Sequence, residues 1–299
     1  MKRPDGDAAA SFAPLRPRLT GIAYRMLGSV AEAEDVVQDA YLRWHGTDRA
    51  AVRDPAAFLV RTVTRLCLDH LKSARVRRES YVGPWLPEPV FDPEADQPHE
   101  DVTLTLMMAL ERLSPLERAA FLLHDVFDLD FDEVAETLGR NAAACRQLCH
   151  RARDHVRAAR PRFPVSRERG QEIAAAFFRA SRNGDMAALQ SLLAADATLY
   201  TDGGGKAPSA LNPIFGRSRI ARFFTGIARK LGHTDSPSPF VRVGTVSGLP
   251  GFVTIDPIGV LQVTALAIEN DKITAVFTVR NPDKLHHIRS VTAAPGTLH

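Results

Sequence analysis

The stretch from Asp130 to Arg160 limits this chain more than any other, because its spacing fits two short helices joined by a tight turn. Asp130 stands three places before Glu133, a variant of the capping box, and Phe131, Val134, Ala135 and Leu138 then recur at i, i+3, i+4 and i+7. Gly139 falls where a helix must end in the left-handed conformation, and Asn141 is a good cap for the next one. That second helix carries two stripes. Cys145, Leu148, Cys149, Ala152, Val156 and Ala159 form an apolar one, and Arg146, His150, Arg153, Arg157 and Arg160 run beside it. A helix-turn-helix with a cationic second helix has the shape that enters a major groove while arginines meet phosphates. The same arginines also fit a basic amphipathic helix solvated on an ordinary bundle; the Gly139 turn argues for the first reading.

A length of 299 residues allows two or three domains, and 45% apolar residues suffice for packed cores. The net charge of +3 says little, but cations gather near 61–78 and 140–160 while acids gather elsewhere. Three cysteines, an odd number with Cys145 and Cys149 on an apolar face, do not suggest a disulfide framework. A metal site of Cys145, Cys149 and His150 matches no standard zinc spacing and has no fourth ligand nearby, so no metal is expected. The start MKRPDGDAAA lacks the apolar core of a leader, and no apolar run is long enough to span a bilayer. The expectation is a soluble, cytoplasmic protein.

From Phe12, Leu15, Leu19, Ile22 and Met26 mark a first helix ending near Gly28. Ser29 and Glu32 cap a second, to about His45, with Ala33, Val37, Ala40 and Trp44 on one face. Its other face carries Glu32, Asp35, Gln38 and Asp39, too dense to be pairs for Arg43 alone; this is either a solvated face or a docking surface for a basic partner. Asp54 and Pro55 open a third helix toward Arg78, with Arg61, Arg65, Lys72 and Arg75 along one side and Arg77 and Arg78 at its end. Arginines near a helix C-terminus are also what the helix dipole favours, so part of that pattern needs no ligand.

Between Glu79 and Asp101 prolines and acids alternate, the composition of a linker, whose near-extended reach is roughly 60 Å. Tyr81, Trp85 and Phe91 are unusual in a spacer and suggest that something packs on it. Helices follow at about Val102–Leu113 and, behind the capping box of Ser114, Pro115 and Glu117, to Val126. After the PRFPV boundary the pattern predicts helices at 167–181, 186–193 and 217–231. Strands are expected at 197–201, near 240–246, at 252–255, 259–268 and 272–280, and Glu269, Asn270 and Asp271 turn the last hairpin. This is an α+β domain with a curved antiparallel sheet, a cone around an apolar pocket.

The sequence resembles the bacterial extracytoplasmic-function sigma factors of the sigma-70 family, in the branch with a SnoaL-like C-terminal extension. AEAEDVVQDAYLRWH resembles the polymerase-docking helix of the sigma-2 domain, and DPAAFLVRTVTRLCLDHLKSARVRRE its promoter-melting helix. LSPLERAAFLLHDVFD leads into the helix-turn-helix as in the sigma-4 domain. Three short motifs sharpen the match: WLPEP (Trp85, Leu86, Pro87, Glu88, Pro89), DGGGK (Asp202, Gly203, Gly204, Gly205, Lys206) and NPDKL (Asn281, Pro282, Asp283, Lys284, Leu285). The resemblance implies two all-α modules, sigma-2 at 8–80 and sigma-4 at 101–162, joined by the acidic linker 81–100. An α+β SnoaL/NTF2-like cone follows at 166–290.

It further implies a transcription initiation subunit, monomeric when free, with core RNA polymerase and promoter DNA as partners, and neither an enzyme nor a cofactor protein. Glu32, Asp35, Gln38 and Asp39 would then face a basic coiled coil of the polymerase, which turns the choice toward docking. Arg61, Arg65, Lys72, Arg75, Arg77 and Arg78 would meet the upstream promoter element. Arg146, Gln147, His150 and Arg151, with Arg140, Asn141 and Arg153 beside them, would meet the more distant one. The linker would run through the cationic RNA-exit path. The DGGGK and NPDKL segments would regulate in cis, touching each other or the sigma modules, with WLPEP packed on the extension.

Two other readings stay open. Asp202 and Asp283, with Tyr200, could serve as acid–base groups in the cone, although three adjacent glycines suit close backbone approach better than a catalytic shell. A ligand-responsive helix-turn-helix regulator would hold a small molecule in the same cone. In the plainest view Lys206 and Lys284 are surface residues and the glycines a loop.

Overall fold

The computed structural model describes residues 5–79, 81–92, 103–157, 165–231, 241–256 and 258–288, and the side chains of 5–7, 73–79, 231 and 241 lie outside the description. The chain divides into two compact units, one of residues 1–79 with 106–159, the other of residues 80–105 with 160–299.

The first unit is helical: α1 (Asp5–Phe12), α2 (Arg16–Leu27), α3 (Val30–Gly46), α4 (Pro55–Glu79), α5 (Leu104–Leu110), α6 (Pro115–Phe121), α7 (Phe131–Leu138) and α8 (Ala142–Arg157). The unit boundary falls inside α5. Local chemistry sets these limits. The Ser29 hydroxyl accepts the Glu32 N–H and starts α3. Asp130 and Glu133 close a reciprocal capping box, Gly139 ends α7 at φ 63°, and the Asn141 side chain accepts the Ala144 N–H at 2.8 Å. The tight turn expected from Gly139 and Asn141 is therefore present.

Two details differ from the expected pattern. A separate helix α1 precedes the first expected one, and beyond α6 the helix widens into a π-helical turn, Leu122–Val126, before Asp128 reverses the chain at φ 57°.

Leu19, Ile22, Met26, Trp44, Leu59, Val63, Met107, Leu110 and Leu122 are buried in this unit, and the Trp44 indole N–H donates to Ser11 Oγ at 3.0 Å. Within this unit α2 and α4 pack against α6 and α7, which follow the linker in sequence. The reason lies in side chains that read as surface residues. Arg118, 2% exposed, donates to the Arg25 carbonyl at 2.9 Å and pairs with Glu111 at 2.6 Å. Arg18 donates to the Phe127 carbonyl, and Arg61 pairs with Glu136. Burial strengthens the attraction between Arg118 and Glu111 and the bond to the Arg25 carbonyl, while charging a desolvation cost that makes loss of either partner expensive.

The second unit is α+β. Its sheet runs in the order β1 (Phe91–Asp92), β4 (Val241–Val246), β5 (Leu249–Ile255), β6 (Leu261–Glu269), β7 (Lys272–Val279), β2 (Leu193–Asp202), β3 (Ile214–Phe215). Helices α9 (Arg167–Asn183), α10 (Met186–Leu192) and α11 (Arg217–Leu231) pack on it. The core includes Ile173, Phe177, Leu189, Leu199, Ile220 and Leu266.

The expected wholly antiparallel sheet is corrected at one pair: β2 and β7 run parallel, with Tyr200 opposite Phe277 and Asp202 opposite Val279. Strand alternation is the same in either direction, so the sequence cannot distinguish them. Asn270 and Asp271 both take positive φ and turn the β6–β7 hairpin as expected. Two short strands were not expected, β3 and β1. The latter lies in the linker and pairs with β4, Phe91 opposite Val246.

Candidate nucleic-acid interface and linker site

On α3, Val36, Val37, Ala40 and Trp44 turn inward, and Asp35, Gln38 and Asp39 lie exposed on the opposite side; Glu32 is half-buried. Leu42 is 57% exposed and sits at i+7 from Asp35, so an apolar residue joins the acidic face. Composition alone gave no reason to single it out.

The cationic residues divide by their partners. Arg65 and Lys72 on α4 and Arg140 and Asn141 in the turn are exposed, as are Arg146, Gln147, His150 and Arg151 on α8. Arg65, Lys72 and Arg140 line one shallow cleft with Ser114, Pro115 and Leu116. Several already hold partners within the unit: Arg61 with Glu136, Lys72 with Asp69, Arg151 with Glu117 at 3.1 Å, Arg153 with Asp125 at 2.8 Å, His150 with Asp154, and Arg146 over the Phe131 ring. The Asp125 hydrogen bond raises Arg153 above its ordinary value. Arg75, Arg77 and Arg78 lie on α4, but their side chains fall outside the described ones, as do Arg160 and the linker from 93 to 102.

Burial pushes the Cys149 thiol up to about 12, and it raises Cys67 and Cys145 too. These are packed thiols, not thiolates. Among the described residues no group of acids, histidines and cysteines could hold a metal ion.

The three short motifs converge in the second unit. Asp202, fully buried at the end of β2, accepts the Tyr81 hydroxyl at 2.5 Å on one carboxylate oxygen. The other oxygen accepts the Leu86 N–H at 2.8 Å and Lys284 Nζ at 2.7 Å. Lys284 Nζ also donates to the Leu86 carbonyl at 2.5 Å and lies 4.0 Å from the centre of the Trp85 ring. The Asn281 amide donates to the Tyr81 oxygen at 2.8 Å, and its carbonyl caps the turn Pro282–Lys284 by accepting the Asp283 N–H. Leu86, Pro87, Glu88, Pro89 and Leu285 are buried.

The linker is held further along as well. His287 meets the Pro89 carbonyl, and Ser247, at φ 42° in the β4–β5 turn, exchanges two hydrogen bonds with Val90. Burial, then the bond to Asp202, pushes the Tyr81 phenol above its ordinary value. The glycines have a reason of contact. Gly204 takes φ 58°, and a Cβ there would fall on the Asn281 amide and within 2.9 Å of the Tyr81 hydroxyl.

The plain view of the two lysines is half right. Lys206 is exposed and pairs with exposed Asp283, whereas Lys284 is 6% exposed. Tyr81, Ser247 and His287 complete this clasp without belonging to any of the three motifs. The only early sign was an aromatic residue in a spacer.

The chain matches known families and proteins over most of its length. The Sigma-70 region 2 family matches residues 12–77, and the Sigma-70 region 4 family residues 103–156. The ECF RNA polymerase sigma factor SigJ of Mycobacterium tuberculosis is 39% identical over 292 residues, which cover 92% of each chain. The probable ECF RNA polymerase sigma factor SigI of the same species is 30% identical, covering 94% of this chain and 96% of that one. The crystal structure of SigJ superposes with a TM-score of 0.76 at 35% identity, over 93% of this chain and 98% of the other.

The chain belongs to the ECF RNA polymerase sigma factors. Its fold is a sigma-2 and sigma-4 helical region followed by an α+β domain, and the family is one of transcription initiation factors. A ligand-responsive helix-turn-helix regulator is not favoured. Each acid–base candidate of the extension has a partner. Asp202 is occupied by the linker, Asp283 pairs with Lys206 at the surface, and Tyr200 stacks on Phe277. No helix among the described residues is long and apolar enough to cross a membrane.

Proposed function

We propose that this sigma factor carries core RNA polymerase to promoters through the acidic face of α3 and the cationic residues of α4 and α8, and that its extension governs this by holding the linker. The protein acts in the cytoplasm as a non-catalytic subunit and is monomeric when free. Asp35, Gln38, Asp39 and Leu42, with Glu32 at the edge, dock on a basic helical surface of the polymerase, where the charges set on-rate and orientation and Leu42 adds apolar contact. Arg61, Arg65, Lys72, Arg75, Arg77 and Arg78 contact the upstream element; Arg140, Asn141, Arg146, Gln147, His150, Arg151 and Arg153 contact the second. Phosphate contacts from these side chains position the protein, and Gln147 and Arg146 are the best placed to read base edges.

The observation that carries the regulatory part is the buried Asp202–Lys284 pair with the Leu86 backbone locked on both of its polar groups. A linker whose N–H and carbonyl are spent there cannot also lie along a cationic channel of the polymerase. Clasp and polymerase therefore compete for the same segment, and the two states need differ by only a few kcal/mol. Arg61, Arg151 and Arg153 must likewise exchange Glu136, Glu117 and Asp125 for phosphate, an exchange of like for like in charge.

Run-off transcription with purified core polymerase on the gene's own upstream region tests both parts. Wild type should initiate, the Asp35→Lys/Asp39→Lys variant should lose polymerase co-purification, and Lys284→Met should raise initiation several-fold. Co-purification that survives the charge reversal removes the docking assignment. Initiation unaffected by Lys284→Met removes the regulatory one.

A further inference from the structure

Helix α11 of the second unit carries five cations, Arg217, Arg219, Arg222, Arg229 and Lys230, and no acid in its 15 residues. Its inner side is spent: Ile220, Ala221 and Ala228 are buried, and so is Thr225, whose hydroxyl donates to the Ala221 carbonyl. The five cations are exposed. Arg219, Arg222, Arg229 and Lys230 recur at i, i+3, i+10 and i+11, so they share one side of the helix, with Gly226 at i+7 between them. Among the described residues no carboxylate pairs with any of the five, and Arg222 donates to the Ser218 carbonyl of its own helix at 3.2 Å. Elsewhere in the chain arginines are neutralised: Arg61, Arg118, Arg151, Arg153 and Arg169 each hold an acid.

Helix stability does not account for this side of α11. Arg217 and Arg219 stand in the first turn, where the macrodipole disfavours cations, and only Arg229 and Lys230, in the last turn, gain from it. Arg219 and Arg222, three places apart, repel each other. Gly226 is a further cost to the helix, and a Cβ there would meet nothing within 4 Å, so no contact inside the protein demands glycine. Charge and glycine alike weaken the free helix and serve nothing within it, which leaves an anionic partner outside.

The chemistry of the face narrows that partner. A helix that lies in a lipid surface needs an apolar side to insert, and the apolar side of α11 is already buried. Cations spread along a convex helix do not enclose a small anion. Their spacing suits a repeating polyanion. At ~1.5 Å rise per residue, Arg222 and Arg229 lie ~10 Å apart along the axis and Arg219 and Lys230 ~16 Å, spans that bracket the ~12 Å width of a major groove. A helix laid across such a groove meets phosphates of both strands at its two ends, and the glycine between them lets the backbone come close. We propose that this face of α11 grips phosphates on either side of a groove in duplex DNA without reading the sequence. The inference rests on the promoter-binding reading in one respect, that the chain works beside duplex DNA, and it gives the second unit a DNA contact of its own.

Fluorescence anisotropy of the full chain on a short labelled duplex of unrelated sequence, over a series of salt concentrations, tests this without polymerase or promoter. Arg219→Gln/Arg222→Gln/Arg229→Gln/Lys230→Gln should weaken binding roughly tenfold or more and lower the slope of log K against log salt by about 3, since each phosphate contact contributes ~0.9. Gly226→Glu keeps every cation, supports the helix through i, i+4 pairs with Arg222 and Lys230, and places a carboxylate at the middle of the face; it should weaken binding several-fold. Arg219→Lys/Arg222→Lys/Arg229→Lys keeps the charge and should bind within about threefold of wild type. A slope unchanged in the glutamine variant overturns the proposal, as does full-strength binding by folded Gly226→Glu or no binding by wild type at low salt. If the glutamine variant instead loses phosphatidylserine vesicles and keeps DNA, the face belongs to a lipid surface and the proposal falls. Arg65→Gln/Arg146→Gln in the first unit tests the promoter contacts by the same slope, so either assignment can fail while the other stands.

Discussion

Replacing Lys284 by Met separates burial from mere charge pairing. The substitution keeps an unbranched side chain of similar length and removes one ammonium group. That group serves Asp202 Oδ2 at 2.7 Å, the Leu86 carbonyl at 2.5 Å and the face of Trp85 at 4.0 Å. Removing one member of a buried pair costs about 3–5 kcal/mol, because the remaining charge stays desolvated. Asp202 would still accept from Tyr81 and Leu86, so the lower end applies, about 3 kcal/mol, or roughly a 150-fold shift toward the released linker.

Lys206→Met is the matched control. It removes an ammonium from the neighbouring pair with Asp283, but both side chains there are more than half exposed. Solvent and salt leave that pair at most about 1 kcal/mol. Native-state hydrogen exchange at the Leu86 amide, with the Leu266 amide in the core of β6 as internal reference, measures both. Lys284→Met should lower Leu86 protection by about two orders of magnitude relative to Leu266, and Lys206→Met by less than about fivefold. Equal losses in the two variants would refute the argument that burial decides. An unchanged Leu86 would show that the linker is held by something other than this pair.

Tyr81 gives the clasp a dependence on alkaline pH. Its phenol is raised in the clasped form, so its contribution is complete below the free value of about 10 and declines as pH rises beyond it. Fluorine NMR of the 5-fluorotryptophan protein, which resolves Trp85 from Trp44, should show Trp85 moving above that pH in wild type and a weaker dependence in Tyr81→Phe. Gly204→Ala combines a positive φ with a Cβ against Tyr81 and should weaken the clasp by about 1–3 kcal/mol, read as faster Leu86 exchange. Arg118→Met leaves Glu111 without its 2.6 Å partner inside the first unit. It should lower that unit's stability by about 3 kcal/mol in urea unfolding while unit 2 keeps its own transition.

Local rules carried much of this fold. Ser29 with Glu32, Asp130 with Glu133, Gly139 with Asn141, and Asn270 with Asp271 each act over four residues or fewer, and each appears in the structure where its chemistry places it. What remained hidden depends on partners far along the chain. Arg118 and Lys284 read as surface cations because nothing within a few residues shows that Arg25, Glu111, Leu86 or Asp202 will enclose them. A strand of two residues such as Phe91–Asp92 has no period to detect, and prolines at 84, 87, 89 and 93 argue for a spacer. The aromatic residues of that spacer pointed to a packed linker; the atoms that hold it had to come from three-dimensional contact. Arg280 and Asp256 were not singled out, since an Asp and an Arg 24 residues apart carry no mark of an ion pair.

The chemistry of the clasp explains why a buried ion pair, rather than more leucine, would suit a segment that is released in the proposed switch. An apolar grip gains roughly 25 cal/mol per Å² and tolerates sliding, because any apolar neighbour serves. The Asp202–Lys284 pair gains little net free energy over the hydrated ions, yet loses several kcal/mol when only one partner is displaced. Such a contact is close to balance when intact and steep when disturbed. It fixes one register, with Leu86 N–H on the acid and Leu86 C=O on the base, and no neighbouring peptide of the linker can replace it without leaving a charge bare. A competitor that removes the whole segment lets both ions rehydrate or re-pair together, and so meets a lower cost than any thermal fluctuation that breaks the contacts singly.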